Sequence, residues 1–374
     1  MKKKIFIFTS SRADYNPLQS VINSFSKSKK YKTYIIASGQ HLDFKSGNTI
    51  GEIRDNHKLK IFKLKYPTKI RTATNITISK SIIIKKLSKI FQKYKPNLLV
   101  LLGDRYELLP CAITCVQFKI PIAHLHGGEI TQGSLDNIYR NVISRLSNIH
   151  FVCHDEYKKN LIKLGEKSNR IFNFGAPSIE SISQNNLSNI HKKFKNKTFL
   201  VTYHPNTIFP KKTKVEIIQL MEALKYFKKY DFILSQPNLD INSHEILDII
   251  KKYKKYNNII IKKSLGKKDY FSMLNNVNGI IGNSSSIILE SSSFKLPALN
   301  IGNRQKGRIL TKNIISCNFK KMEIIKNIRK ISNEKFKKKF LHLQNPFYKK
   351  NTSKKIVNKI SSFSLEKMFH EKLI

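Results

Sequence analysis

The chain has no tryptophan, four cysteines, ten arginines and no apolar run approaching the length of a membrane span of about 18–20 residues. Each shortage excludes something. Cys111, Cys115, Cys153 and Cys317 form no C-x-x-C pair, so they read as reduced thiols rather than a disulfide framework or a zinc cage. The opening "MKKKIFIFTSSRADY" starts like a secretory leader but turns polar before the roughly 7–15 apolar residues that such a leader needs. A cytoplasmic protein is therefore the expectation. The glycine patterns G-x-G-x-x-G and G-x-x-x-x-G-K-[ST] are both missing, which argues against a dinucleotide-dependent oxidoreductase and a P-loop NTPase.

What is abundant is lysine. Seventy basic residues against 24 acidic ones give a net charge of +46. Clustered cations would suggest nucleic acid, whose counterions they release. Here the lysines run from end to end, in "KKLSKIFQKYKPN", "KYFKKYD" and "KKYKKYNN", on the polar faces of patterned helices. There is no R-G-G tract and no separate basic tail, so a solvated surface is expected, with no nucleic-acid partner. Arginine behaves differently. Arg12, Arg105, Arg140, Arg304 and Arg308 sit in or beside loop motifs, where a bidentate fork suits phosphate and carboxylate.

At 374 residues the chain exceeds an ordinary domain of roughly 100–200 residues, and its 40% apolar content fills two cores. Short apolar runs alternate with longer amphipathic stretches: "KIFIFTS", "YKTYIIASG", "NLLVLLGD", "IPIAHLHGG", "HFVCH" and "RIFNFG", then "TFLVTYH", "YDFILSQ", "NNIIIKK", "VNGIIGN" and "LPALNIG". Continuous apolarity marks strands covered on both faces, hence two α/β domains with doubly wound parallel sheets. The expected bounds are 1–182 and 183–350, with the linker in "SQNNLSNIHKKFKNK" and a C-terminal helix, 351–374, returning to the first domain.

Ligands of such sheets sit beyond the carboxyl ends of the strands. There the chain reads "TSSRADY", "SGQHLD", "GDRYE", "HGGE", "YHPNT", "SQPN" and "GNSSS", all polar and loop-like. That coincidence points to an active site between the domains. In the first loop a serine pair and Arg12 can hold an anion, or a serine can simply cap a helix. In "GIIGNSSSIILES" serines open an apolar helix, where hydroxyls and free N–H groups suit a phosphate, and Glu290 a turn deeper can accept from a ribose. Asp104 can pair with Arg105 or orient a base. His124 and His126 alternate along a strand and should share a face, with Glu129 after a glycine turn. One H-x-H without a third fixed ligand is weak as a zinc motif. Asp136 and Arg140, at i,i+4, share a helix side and can form an ordinary salt bridge. His204 is either a satisfied loop histidine or a phosphate ligand.

Taken together, "SSRADY", "GDRYE", "HLHGGEITQGSLDNIYR", "YHPNT", "GNSSSIILE" and "NIGNRQKGR" resemble the UDP-N-acetylglucosamine 2-epimerases, nearest the hydrolysing branch that serves sialic-acid-type sugar synthesis. The resemblance runs from Phe6 to about Ile360. It implies a GT-B-like fold of two Rossmann-type domains with the active site in the cleft, no metal or other cofactor, and a homo-oligomer, dimer or tetramer. It implies Asp104, His126, Asp136 and Arg140 as catalytic, His126 standing where non-hydrolysing relatives carry glutamate. Arg12, His204, Ser285 and Ser286 become diphosphate ligands and Glu290 the ribose contact. The implied reaction takes UDP-N-acetylglucosamine and water to N-acetylmannosamine and UDP, by anti-elimination of UDP and addition of water. Departures at "NPFYKKNTSKKIVNKI" and "FGAPSIESI" bear on the sugar, which can instead be a 2,4-diacetamido-2,4,6-trideoxy relative used for legionaminic-type acids. The rival readings are epimerisation without UDP release, a GT-B glycosyltransferase, and a non-enzymatic binder of RNA or anionic surfaces.

Overall fold

The computed structural model describes residues 1–43, 49–67, 72–184, 194–235, 243–262 and 267–372. Most of the expected linker and the end of the "SQPN" loop lie outside them. Two compact units are present. The first comprises Met1–Glu129, Asp136–Ser181 and Phe347–Ile374; the second comprises Ile130–Leu135 and Ile182–Pro346.

The first unit holds β1 (Lys3–Thr9), β2 (Tyr31–Ser38), β3 (Lys60–Leu64), β4 (Leu98–Leu102), β5 (Ile122–Leu125), β6 (Ile149–Val152) and β7 (Ile171–Asn173). They form one sheet in the order β3-β2-β1-β4-β5-β6-β7, and every pairing is parallel. The side chains of β1 show why. Ile5 and Ile7 point into one core and Phe6 and Phe8 into another, and all four are fully buried. Such a strand needs helices on both faces.

The helix Arg12–Lys27 covers one of those faces. It starts at a capping box, Ser11 with Asp14, and buries Tyr15, Leu18, Val21, Ile22 and Phe25 at helical spacing. The helix Thr352–Ser361 packs on it through Ile356, Val357 and Ile360. Burying each of these side chains contributes about 1.5–3 kcal/mol, enough to hold the end of the chain in the first unit. Thr352 Oγ1 donates to the Phe174 carbonyl at 2.6 Å, and the Ser353 N–H donates to Glu180 at 2.9 Å.

The second unit repeats the plan with β8 (Lys197–Thr202), β9 (Tyr230–Ser235), β10 (Ile259–Lys262), β11 (Gly279–Gly282), β12 (Ala298–Ile301) and β13 (Ile314–Cys317). The order is β10-β9-β8-β11-β12-β13, again parallel throughout. In both sheets the chain order reverses beside the first strand, between β1 and β4 and between β8 and β11. Ligands of open α/β sheets bind at that reversal.

The expectation of two doubly wound domains therefore stands. Two strands absent from the sequence reading, β3 and β13, are edge strands, one of the two in each sheet. Both are only partly buried.

Candidate active site

In the first unit the loops after β4, β5 and β6 carry the candidate chemistry. Arg140, on the helix Asp136–Leu146, is the largest fully buried side chain, at 1% exposure. A guanidinium so far from water must have its charge matched. It forms an ion pair with Asp104, donates to the Glu129 carbonyl at 2.7 Å and reaches Asn137 Oδ1 at 3.4 Å. Arg140 thus ties the residue after β4 to the turn after β5. Arg105, the neighbour that the sequence offered to Asp104, forks instead onto Glu107 at 3.3 Å through both Nε and Nη2.

The two histidines of "HLHGGE" have separate environments. His124 is sealed: its Nε2 donates to the Gly103 carbonyl at 2.8 Å, and its Nδ1 accepts from Ser144 Oγ at 3.1 Å. Burial pushes its pKa down to about 3, so it is neutral. It is a structural histidine. His126 lies past the end of β5 with φ +64, a left-handed conformation that non-glycine residues adopt at a cost of order 1–3 kcal/mol. Its N–H donates to the Phe151 carbonyl at 3.0 Å, and its Nδ1 meets Glu129 Oε1 at 2.6 Å. The Cys153 thiol donates to the same oxygen at 3.4 Å. Gly128 makes the turn possible, since a Cβ there would lie 2.1 Å from the Tyr157 carbonyl. The expected alternation on one strand face therefore fails, because the strand ends at Leu125 and the turn re-aims His126.

The segment Ile130–Leu135 belongs to the second unit, where the Gln132 N–H donates to the Lys306 carbonyl at 2.9 Å and the Leu135 N–H to Thr207 Oγ1 at 3.1 Å. Asp136 then heads its helix in the first unit. At the start of the chain, the serine pair is already occupied. Asp14 accepts from the N–H groups of Ser10 and Ser11 and from the Ser11 hydroxyl, each at 2.7 Å. The anion cradle expected of "TSSRAD" holds the chain's own carboxylate. Arg12 grips Glu52, with Nε 3.3 Å from Oε2 and a second contact through Nη2.

In the second unit, β8 ends before His204 and β11 before Asn283, neighbouring positions at the sheet's reversal. Asn283 brackets His204, accepting from its N–H at 2.7 Å and donating to its carbonyl at 2.9 Å. The Asn283 carbonyl in turn accepts from Gln305 Nε2 at 2.9 Å and Arg304 Nη1 at 3.2 Å. Gly282, with φ +138, is required here, because a Cβ would meet the Thr202 carbonyl oxygen at 1.9 Å. Ser284 is the N-cap of the short helix Ser285–Leu289 and accepts from the Ser286 hydroxyl at 3.0 Å. Glu290 closes that helix and accepts from the Tyr270 hydroxyl at 2.9 Å.

Asp104, Arg140, Glu129 and His126 are thus drawn together in one unit, and His204, Ser285, Ser286 and Glu290 share the other. Sequence reasoning did not single out Cys153, Asn283 or Gln305. Two of them carried a signal: the asparagine of "GNSSS" directly follows a buried strand, and Gln305 lies within "NIGNRQKGR". Among the described residues, the groups that could jointly hold a metal ion are His126, Glu129 and Cys153, whose donor atoms lie within 4.8 Å of one another.

The profile of the UDP-N-acetylglucosamine 2-epimerases matches residues 23–361. The chain belongs to that family. It is 36% identical over 347 residues to the GDP/UDP-N,N'-diacetylbacillosamine 2-epimerase (hydrolyzing) of Campylobacter jejuni, spanning 90% of this chain and 89% of that one. It is 32% identical over 343 residues to the UDP-N,N'-diacetylbacillosamine 2-epimerase (hydrolyzing) of Legionella pneumophila, spanning 89% and 90%. Identity is also 32%, over 370 residues, to polysialic acid biosynthesis protein P7 of Escherichia coli, spanning 96% and 94%. The UDP-GlcNAc 2-epimerase of Neisseria meningitidis bound to UDP-GlcNAc shares the fold, with a TM-score of 0.81 at 17% identity, covering 96% of this chain and 100% of that one. As a family member the chain is an enzyme of the UDP-sugar 2-epimerase kind, in the hydrolysing branch. None of its helices among the described residues is long and apolar enough to cross a membrane.

Proposed function

We propose that this 2-epimerase hydrolyses a UDP-activated 2-acetamido sugar with inversion at carbon 2, releasing the free sugar and UDP. The observation that carries the reading is the cluster around Arg140, which holds Asp104 and the His126–Glu129 turn at the carboxyl ends of adjacent strands. Two sugars fit the reaction. The relatives from Campylobacter and Legionella favour the 2,4-diacetamido-2,4,6-trideoxy sugar, UDP-N,N'-diacetylbacillosamine. UDP-N-acetylglucosamine, giving N-acetylmannosamine, is the second reading, supported by the match of residues 23–361 to the UDP-N-acetylglucosamine 2-epimerase profile.

The chemistry assigns work to each group. Carbon 2 loses a proton to a base while UDP leaves from carbon 1 on the opposite face, forming a glycal. Water then adds its oxygen at carbon 1, and a proton returns to carbon 2 from the other side. Asp104, His126 and Asp136 are the acid/base groups, and a well-placed base contributes about 10²–10⁴-fold. Arg140 fixes Asp104 and the turn. Because the carbon 2 proton is weakly acidic, departure of UDP runs ahead of its removal. Donors on the diphosphate therefore carry much of the rate, about 3–4 kcal/mol each where well placed. His204, Ser285 and Ser286 are assigned to that task and Glu290 to the ribose, and Arg12 joins the diphosphate donors on release of Glu52.

The test is to incubate the full chain with each UDP-sugar separately and follow free UDP and the released sugar by NMR. Turnover of the diacetamido substrate at higher kcat/KM supports the first reading. Faster turnover of UDP-N-acetylglucosamine supports the second, and turnover of neither removes both.

A further inference from the structure

We propose that His126, Glu129 and Cys153 form a binding site for a soft divalent cation, zinc(II), and that zinc bound there switches the enzyme off. The site is built where two parallel strands end side by side. Leu125 of β5 pairs in register with Phe151 of β6, so the chain just beyond each strand arrives at the same level. His126 follows one and Cys153 ends up beyond the other, while the Gly127–Gly128 turn brings Glu129 back over both. The result is an imidazole nitrogen, a carboxylate oxygen and a thiol sulfur within 4.8 Å of one another. All three residues are buried, at 6%, 3% and 1% exposure.

Charge and geometry select the ion. Zinc with one thiolate, one carboxylate and one neutral imidazole is a net-neutral group, the condition under which ions are tolerated out of water. A thiolate and an imidazole favour zinc over magnesium or calcium, which prefer all-oxygen shells. At zinc bond lengths of about 2.0–2.3 Å, tetrahedral donors stand about 3.3–3.7 Å apart. The hydrogen-bonded pairs present now, 2.6 Å for His126–Glu129 and 3.4 Å for Cys153–Glu129, need adjustments of about 1 Å or less. Three protein ligands leave the fourth position for water or substrate.

Binding balances simply. The Cys153 thiol proton goes to solvent, the imidazole N–H moves from Nδ1 to Nε2, and zinc takes Nδ1, the carboxylate and the sulfur. His126 is then locked as an Nε2–H donor and can no longer take up a proton. The inhibitory half of this proposal rests on His126 acting as an acid/base group in the reaction proposed above; the binding half does not.

The experiment therefore reads binding first. Metal-free full-length protein is titrated with zinc by calorimetry, and with cobalt(II) by near-ultraviolet absorption, in wild type and in Cys153→Ser. One zinc per chain is expected, with a thiolate-to-cobalt charge-transfer band. Both should be lost in Cys153→Ser, with affinity lower by about 100-fold or more, since even outer partners of a metal ligand are worth about 10–100-fold. Serine can still donate to Glu129, so without zinc the variant should turn over within about 2-fold of wild type, the scale of a neutral–neutral hydrogen-bond change. Stoichiometric zinc should stop wild-type turnover, EDTA should restore it, and Cys153→Ser should ignore it. Equal zinc affinity in the two proteins, as surface histidines alone would give, overturns the site. Tight binding with turnover intact overturns the inhibition alone.

Discussion

The two units share a strand order and a place of reversal, yet they hold their candidate groups by different means. In the first unit the groups are charged side chains fixed by other charged side chains: Arg140 on Asp104, Glu129 on His126. In the second they are fixed mostly by neutral side chains: Asn283 brackets His204, Gln305 braces Asn283, Ser284 holds Ser286 and Tyr270 holds Glu290. Moving protons requires titratable groups kept in one geometry out of water. Holding a leaving diphosphate requires hydrogen-bond donors kept in fixed positions. On the roles proposed above, two copies of one topology divide the reaction between acid/base work and anion binding.

Breaking the first half should have the largest effect. Asp104→Asn keeps the shape of the side chain but removes its charge, and turnover should fall by about 10³-fold or more. The same is expected of Asp136→Asn. UDP affinity, measured by calorimetry, should stay within a few-fold of wild type. Wild-type-like rates in either variant would remove that residue's role.

Gly282→Ala attacks the second half through its backbone. With Thr202 in the way, the variant should lose about 3 kcal/mol of stability, seen as a lower denaturant midpoint. Asn283→Ala is milder, removing two hydrogen bonds to the His204 backbone. It should weaken UDP binding by roughly 10-fold and lower kcat as well, because the donor it positions acts on the leaving diphosphate. UDP affinity and kcat both unchanged in this variant would contradict the division of labour.

Acid should separate the units most gently. His41 and His57, both edge-on to Tyr15 in the first unit, have pKa values that burial pushes down to about 4. The unfolded chain takes up those protons near pH 6.5 and the folded chain does not. Their contribution is therefore full above about pH 6.5 and lost as pH falls towards 4, together a few kcal/mol. In the second unit burial raises the Glu216 carboxyl instead, a contribution present at acid pH and lost as pH rises. Denaturation followed at several pH values should show first-unit signals weakening first on acidification.

The parts legible in the sequence were those where one physical rule dominates. The central strands, such as "KIFIFT" and "LLVLL", are buried on both faces and read as unbroken apolar runs. β3, "KIFKL", and β13, "IISC", lack that signal because each is short, only partly buried, and broken by lysine or by serine. The site was legible as loops after strands but not as pairings. Nothing in "GDRYE" says that Asp104 reaches past Arg105 to Arg140, 36 residues on. Nor does "SSRAD" show that Asp14 takes the donors that a phosphate would need. Both depend on which loops the sheet order makes neighbours.

The most direct measurement is proton NMR of the reaction in D₂O with the preferred UDP-sugar. Free 2-epimeric sugar carrying deuterium at carbon 2 should appear in step with UDP. Epimer still joined to UDP, or free sugar with its original hydrogen at carbon 2, would contradict the proposed reaction.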